Sequence, residues 1–143
     1  MKKLSRKTFK IILDNVPLLC VDIVAKHKRK YLLVKRKNRP LKGTFWPPGG
    51  RVLRNETIEE AVRRKMREET GLRVKLIRPL GYFEYFFKSH AIALKNGYHS
   101  ISIVYLVKPL SLKVELDSQS SDWKLAENLP KKFIIKPFHT YGK

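Results

Sequence analysis

The chain holds one cysteine, Cys20, so no intrachain disulfide can form and a reducing, cytoplasmic compartment is the expected home. It has no run of about 18 apolar residues, so no membrane-spanning helix is expected and no membrane partner is implied. Acidic residues are few. Asp and Glu number 12 against 32 Lys and Arg, for a formal net charge of +20. Such a charge attracts polyanions such as nucleotides, RNA and DNA, but names none of them. Zinc-ligand spacing, a helix-turn-helix signature and an RNA-binding aromatic motif are all missing. The basic residues are spread along the chain, so the simpler reading is a field that draws phosphorylated substrates inward. Repeats, low-complexity tracts and linkers are also missing. With 143 residues, 43% of them apolar, one core and one domain (1–143) are expected. The stretch Pro17-Leu18-Leu19-Cys20 superficially suggests a lipoprotein signal. Asp14 and Asn15 interrupt its apolar part, and Leu19 is too large for the small residue that cleavage needs.

What is there is a set of apolar segments around one strongly patterned helix. Residues 5–14 read as a short helix with Phe9, Ile12 and Leu13 inward. Leu18–Ala25 and Lys30–Lys35 read as antiparallel strands joined by a turn at His27-Lys28-Arg29. A basic loop, Arg36–Gly43, leads to a short strand at Thr44-Phe45-Trp46 that Pro47-Pro48 ends. Val74–Phe87 and His99–Val107 read as long strands, and Lys113–Leu116 as a short one. Trp123–Leu129 suggests a last short helix, followed by a basic tail with an apolar patch at Phe133–Ile135. Strands around a central helix give an α/β class, with a mixed sheet sandwiched by helices.

Residues 49–72, GGRVLRNETIEEAVRRKMREETGL, carry the chemistry. A glycine pair enters a turn, and a helix is expected from about Thr57 to Thr70. Asn55 or Thr57 can cap its start, and Gly71 ends it in the left-handed region. Ile58, Ala61, Val62 and Met66 form the apolar stripe, while Glu59, Glu60, Arg63 and Arg67 fall on the solvated side. Continued down the helix, the inward stripe passes through Lys65 and Glu69. Ionised groups are not placed in a core without a partner or an ion, because desolvation costs several kcal/mol. Solvent-facing pairs of the type Arg64–Glu68 and Lys65–Glu69 are the plainer reading of such a helix end. Oxygen ligands at this density suit Mg²⁺, or Mn²⁺, rather than zinc, and the glycine pair lets backbone carbonyl approach the same ion.

Asp22 interrupts an apolar strand, on the face shared with Cys20 and Val24. Buried there, it needs either a structural hydrogen bond or a substrate. Arg36 and Arg51 are candidates to grip a diphosphate, since guanidinium meets phosphate oxygens in a bidentate fork. Trp46, Phe83 and Tyr85 could stack on a base, although a core role suits each of them better.

Segment 49–72 resembles the Nudix box, G-x5-E-x7-R-E-U-x-E-E-x-G-U, where U is aliphatic. Gly50, Glu56, Arg64, Met66, Glu68, Glu69, Gly71 and Leu72 match, and Lys65 stands where the pattern has glutamate. The resemblance implies a Nudix-like α/β/α sandwich, a Mg²⁺-dependent hydrolase acting on a nucleotide or nucleotide-sugar substrate, and a homodimer as an assembly many members adopt. Within the superfamily the chain is most similar to the GDP-mannose mannosyl hydrolases. The similar stretches are Pro17-Leu18 and Asp22, Leu33 with Lys35-Arg36, Asn38-Arg39-Pro40, Gly43, Phe45 or Trp46, Pro48-Gly49-Gly50-Arg51-Val52, and Glu56-Thr57 with Glu59 and Ala61. That branch also lacks the first glutamate of the R-E pair and uses one metal ion.

The likeness implies Glu69 as the metal-binding glutamate, with a carbonyl from Gly49 or Gly50 and Gln119, and the ammonium of Lys65 in the box leaves Glu68 the secondary place beside Glu69. The likeness also implies Arg36 and Arg51 on the leaving diphosphate and Asp22 on the sugar. Ser120 stands where the branch has its general-base histidine, and a serine cannot take up a proton near pH 7 as imidazole does. His90, His99 and Glu84 are the unplaced alternatives. The activity implied is cleavage of a nucleoside diphosphate sugar of GDP-mannose type. The alternatives are a broader pyrophosphohydrolase of nucleoside triphosphates or dinucleoside polyphosphates, and a catalytically weak domain that binds nucleotide or RNA.

Overall fold

The computed structural model describes residues 3–88 and 92–139, and His90 lies outside them. The chain opens with helix α1 (Arg6–Asn15), capped by the Ser5 side chain, which accepts from the Thr8 N–H. Strands β1 (Leu18–His27) and β2 (Lys30–Arg36) form a hairpin whose turn is Lys28-Arg29. Then come β3 (Phe45–Trp46), β4 (Gly49–Arg51), the box helix α2 (Ile58–Thr70), the long strands β5 (Val74–Phe87) and β6 (Tyr98–Pro109), β7 (Ser120–Ala126) and β8 (Lys136–Pro137). The result is a mixed sheet flanked by helices, as expected.

β1 organises everything. It runs parallel to β6 over its length, from Leu18 beside Ser100 to Ala25 beside Val107. Its other edge forks. At one end Lys26 and His27 pair with β2; at the other Cys20, Val21 and Asp22 pair with β4. The β2 branch continues into β3 and β7. The fork opens a cleft between β2 and β4, and side chains from both branches point into it.

The two faces of β1 serve different layers, because successive side chains alternate. Val21, Ile23 and Ala25 pack with Ala61, Val62 and Met66 of α2. Leu18 and Cys20 lie on the opposite face and pack with Leu13 of α1. Further along that second face, Val24 joins Trp46, Tyr85, Val104 and Phe133 in an aromatic cluster.

Three expected elements differ. Trp123–Leu129 is not a helix, because residues 120–126 form β7 antiparallel to β2, from Tyr31 opposite Ala126 to Lys35 opposite Asp122. Trp123 and Leu125 turn toward the core while Asp122 and Lys124 face solvent, a period of two that serves a strand. Lys113–Leu116 forms no strand. Leu112, Val114 and Leu116 pack on the α2 core, and the Glu115 N–H donates to the Thr70 carbonyl at the helix end instead of joining a sheet. The glycine pair, expected as a turn, is strand β4.

Thr57 proves to be the N-cap of α2. Its hydroxyl accepts from the Glu60 N–H, and the Glu60 carboxylate accepts from the Thr57 N–H, forming a reciprocal capping box. Gly71 closes the helix at φ 72°. Because α2 carries the box carboxylates, this cap anchors the site as well as the helix. Thr57→Ala should lower unfolding free energy by about 1 kcal/mol. Urea melts check this, and an unchanged midpoint would show that the box does not hold the helix start.

Candidate functional site

The cleft at the β1 fork is a cavity of about 440 Å³. Asp22 enters it from β1, Arg36 from β2, Gly49, Gly50 and Arg51 from β4, and Lys65 and Glu69 from α2. Gln119 borders it just ahead of β7. Of the residues expected to bind metal, phosphate or sugar, Glu68 alone lies outside the lining. It is half exposed, with its carboxylate held by Arg64 at 3.1 Å and Lys65 at 3.3 Å.

Glu69 is buried, at 6% exposure, on the inward stripe where the helical period put it. Its Oε2 accepts the Gly49 N–H at 2.9 Å, and its Oε1 lies 3.6 Å from the Lys65 ammonium. Burial pushes its carboxyl up to about 7, although Lys65 and the Gly49 N–H oppose the rise. Asp117 adds to it from nearby, a neighbour that the sequence reading did not single out. Lys65 and one amide thus leave the carboxylate incompletely compensated. Oxygen donors around a buried carboxylate suit a hard divalent cation. Among the described residues no three His, Cys, Asp or Glu side chains gather as a metal cage. Glu69 is the buried carboxylate that could hold one such ion, and Gln119 and the β4 backbone bring neutral oxygens to the same cavity.

The glycines permit this close approach. A Cβ on Gly49 would sit 2.2 Å from the Val21 carbonyl oxygen, and one on Gly50 would sit 2.6 Å from Lys65 Cε. α2 is also pinned at Arg64, whose guanidinium donates to both oxygens of Glu56 and, at 2.9 Å, to the Arg51 carbonyl. The box arginine therefore holds the loop and β4 against the helix from outside the metal position. Its partner Glu56 has its carboxyl held below the usual range by that guanidinium.

Asp22 is 6% exposed. Its Oδ2 accepts from the Tyr85 hydroxyl at 2.7 Å, and the Tyr85 oxygen in turn accepts from Trp46 Nε1 at 2.7 Å. Trp46, Tyr85 and Phe83 belong to the aromatic cluster, the core role that suited them better than stacking on a base. Burial raises the Asp22 carboxyl to about 6, with Tyr85, Ser102 and Arg36 opposing. Ser102 lies across from Cys20 on β6 and lines the cavity, yet its buried hydroxyl makes no well-formed hydrogen bond, Asp22 included. Tyr85 was legible as an aromatic for the site but not as the partner of Asp22, and Ser102 was not legible at all. Each reaches it through strand pairing that no local motif announces.

The arginines are held by different means. Arg36 Nε donates to the Pro40 carbonyl at 2.9 Å, tying it to the loop that carries the cis Arg39–Pro40 peptide. Arg51 stacks over the Phe9 ring of α1, 4.8 Å from its centroid. Of the alternative bases, His99 and Glu84 do not line the cavity. His99 stacks on the exposed Phe86 ring and Glu84 pairs with Lys136. Ser120 is buried opposite Arg36 at the start of β7.

A buried carboxylate facing a cleft lined by Arg36, Arg51 and Lys65, on a loop–helix–loop with this box, is the arrangement expected of a nucleotide hydrolase, and sequence comparison decides the family. Residues 16–133 match the model of the NUDIX domain. The chain belongs to the Nudix family. Among its relatives, the ADP-ribose pyrophosphatase of Methanocaldococcus jannaschii is 38% identical over 133 residues, covering 92% of this chain and 74% of that protein. The low-salt glycan biosynthesis protein Agl8 of Haloferax volcanii is 35% identical over 116 residues, covering 81% and 74%. The crystal structure of a MutT Nudix hydrolase from Burkholderia pseudomallei superposes with a TM-score of 0.70 at 25% identity, covering 82% of this chain and 89% of that one. This Nudix protein is accordingly a hydrolase, and hydrolases of the family work with divalent metal ions. No helix among the described residues is long and apolar enough to cross a membrane.

The raised Asp22 carboxyl has a consequence for stability. A group whose folded pKa lies above its unfolded value stabilises the fold below the unfolded value, and that stability is lost as pH rises through the folded one. For Asp22 the window runs from about 4 to about 6. Asp22→Asn removes the penalty of the buried charge while an amide oxygen can still accept from Tyr85. The variant should match the wild type near pH 3.5 and exceed it at pH 7.5 by on the order of 2–3 kcal/mol. Thermal melts across that range test this, and a difference independent of pH would contradict it.

Proposed function

We propose that this Nudix hydrolase cleaves nucleoside diphosphate derivatives, with a nucleoside diphosphate sugar of GDP-mannose type as its leading substrate. The observation that carries the reading is the buried Glu69 carboxylate facing a cavity whose other charged lining includes Arg36, Arg51 and Lys65. Three cations suit a diphosphate, and the unpartnered Ser102 hydroxyl beside Asp22 suits a hydroxyl-bearing group attached to it. The names of two relatives support the same class. One is a glycan biosynthesis protein, and the other is named for ADP-ribose, a nucleoside diphosphate joined to a sugar.

Glu69, with Gln119 and a carbonyl of Gly49 or Gly50, would hold one divalent ion, Mg²⁺ or Mn²⁺. When bound, such an ion offsets the charge that builds on the departing diphosphate. Arg36 and Arg51 grip the phosphate oxygens, each pre-oriented, Arg36 by the Pro40 carbonyl and Arg51 by the Phe9 ring. Asp22 accepts a hydrogen bond from the sugar while Tyr85 keeps its carboxylate in place. Glu68 steadies Lys65 from the solvent side.

A second reading rests on Ser120. Without an imidazole beside Gln119, attack at phosphorus in the manner of a pyrophosphatase needs no sugar-side base, and the Methanocaldococcus jannaschii relative carries that name. Product analysis with Mg²⁺ on GDP-mannose, ADP-ribose, nucleoside triphosphates and dinucleoside polyphosphates separates the readings. GDP with free mannose is expected, nucleoside monophosphate would favour the pyrophosphatase, and ¹⁸O-labelled water would locate the oxygen. Glu69→Gln should reduce kcat at least about a hundredfold. Full turnover by that variant, or no turnover by the wild type together with tight, salt-sensitive RNA binding, would overturn the hydrolase assignment of this pocket.

A further inference from the structure

Lys65 is the position where this box departs from the pattern, and its surroundings give the departure a purpose. The side chain comes from the inward stripe of α2 and is only 13% exposed. It runs across Gly50, with Cε and Nζ 2.6 and 3.1 Å from where a Cβ on that glycine would stand. Its ammonium lies 3.6 Å from Glu69 Oε1 and 3.3 Å from Glu68 Oε2, so the two box carboxylates fix it on the cavity side of the helix. It is therefore a positioned cation in the wall of the phosphate cavity, and its alkyl stem is held between α2 and β4.

The charge balance is informative. A carboxylate with a divalent ion beside it carries one net positive charge, and an ammonium carries the same charge alone. We propose that Lys65 supplies to the substrate phosphates the positive charge that a second divalent ion would otherwise bring beside Glu69, so that one exchangeable metal ion suffices. This rests on the reading of the cavity as a diphosphate site with a cation on Glu69. The ammonium adds three donors that can turn toward phosphate oxygen, and the missing side chain at Gly50 gives the stem its place across β4. Two roles then fall to one residue. Lys65 neutralises Glu69 when the cavity holds no ligand, and it meets the diphosphate when the metal ion takes Glu69.

The test uses binding. Calorimetric titration of the full chain with Mn²⁺ should give one ion per chain for the wild type, one for Lys65→Met and more than one for Lys65→Glu, with melting temperatures showing that each variant is folded. At saturating Mn²⁺, inorganic pyrophosphate should bind Lys65→Met about tenfold or more weakly than wild type, the loss expected for one charge-assisted contact. Two or more Mn²⁺ ions on the wild type, or a single ion on Lys65→Glu, would overturn the proposal and leave the metal site standing. Unchanged pyrophosphate affinity in Lys65→Met would also overturn it, reducing Lys65 to a neutralising ion pair. A wild type that binds no Mn²⁺ would overturn the metal site itself, and this inference with it.

Discussion

Burial of one carboxylate governs this molecule. Glu69 sits on the core-facing stripe of α2, where an ordinary helix of the same period carries leucine, and desolvation there pushes its proton affinity up toward neutrality. A charge in that position needs answering groups. The structure provides an amide from Gly49, an ammonium from Lys65, and a cavity in which a hard cation and phosphate oxygens can complete the balance. The local architecture follows from this requirement. β4 approaches β1 so closely that only glycine fits at position 49, Lys65 lies across Gly50, and Arg64 ties the loop, β4 and the helix into one unit.

A second buried charge works differently. Asp22 is answered by neutral donors, Tyr85 directly and Trp46 behind it, and both rings are wedged in the aromatic cluster with Phe133. The chain of hydrogen bonds makes the far wall of the cavity rigid, since moving Asp22 would disturb the core. The near wall is built from longer side chains at the ends of β2 and β4 and on α2, Arg36, Arg51 and Lys65. One side of the cleft is set for shape and hydrogen bonding and the other for charge, which suits a ligand with a neutral polyhydroxyl part and an anionic part.

The helix and the inward position of Glu69 were legible because their signals are local. Helical period, a Thr57 cap, a Gly71 stop and box spacing all lie within one short segment, and α2 forms where they put it. The two long strands and the first hairpin were also readable from apolar runs. β7 was misread because its strand character comes from partnering β2, far away in sequence, while its composition in isolation suits a helix equally well. The same cause hid Ser102 and the role of Tyr85 as the partner of Asp22. Asp22 stood out as a charge in an apolar run, but its partners sit on β5 and β6, and their register is set by the whole sheet. Asp117 precedes β7 and comes near Glu69 only because that strand folds back beside β2.

The net charge of +20 becomes easier to interpret with the site in view. The cavity carries its own local surplus of cations around a buried acid, so the wider field need only bring phosphorylated ligands toward it. The central claim is that the buried acid holds a divalent ion. Anomalous diffraction from crystals grown with Mn²⁺ tests it most directly. The account predicts one peak within coordination distance of the Glu69 carboxylate, with Lys65 displaced from that oxygen. No peak there, with the ammonium still paired to Glu69, would contradict it.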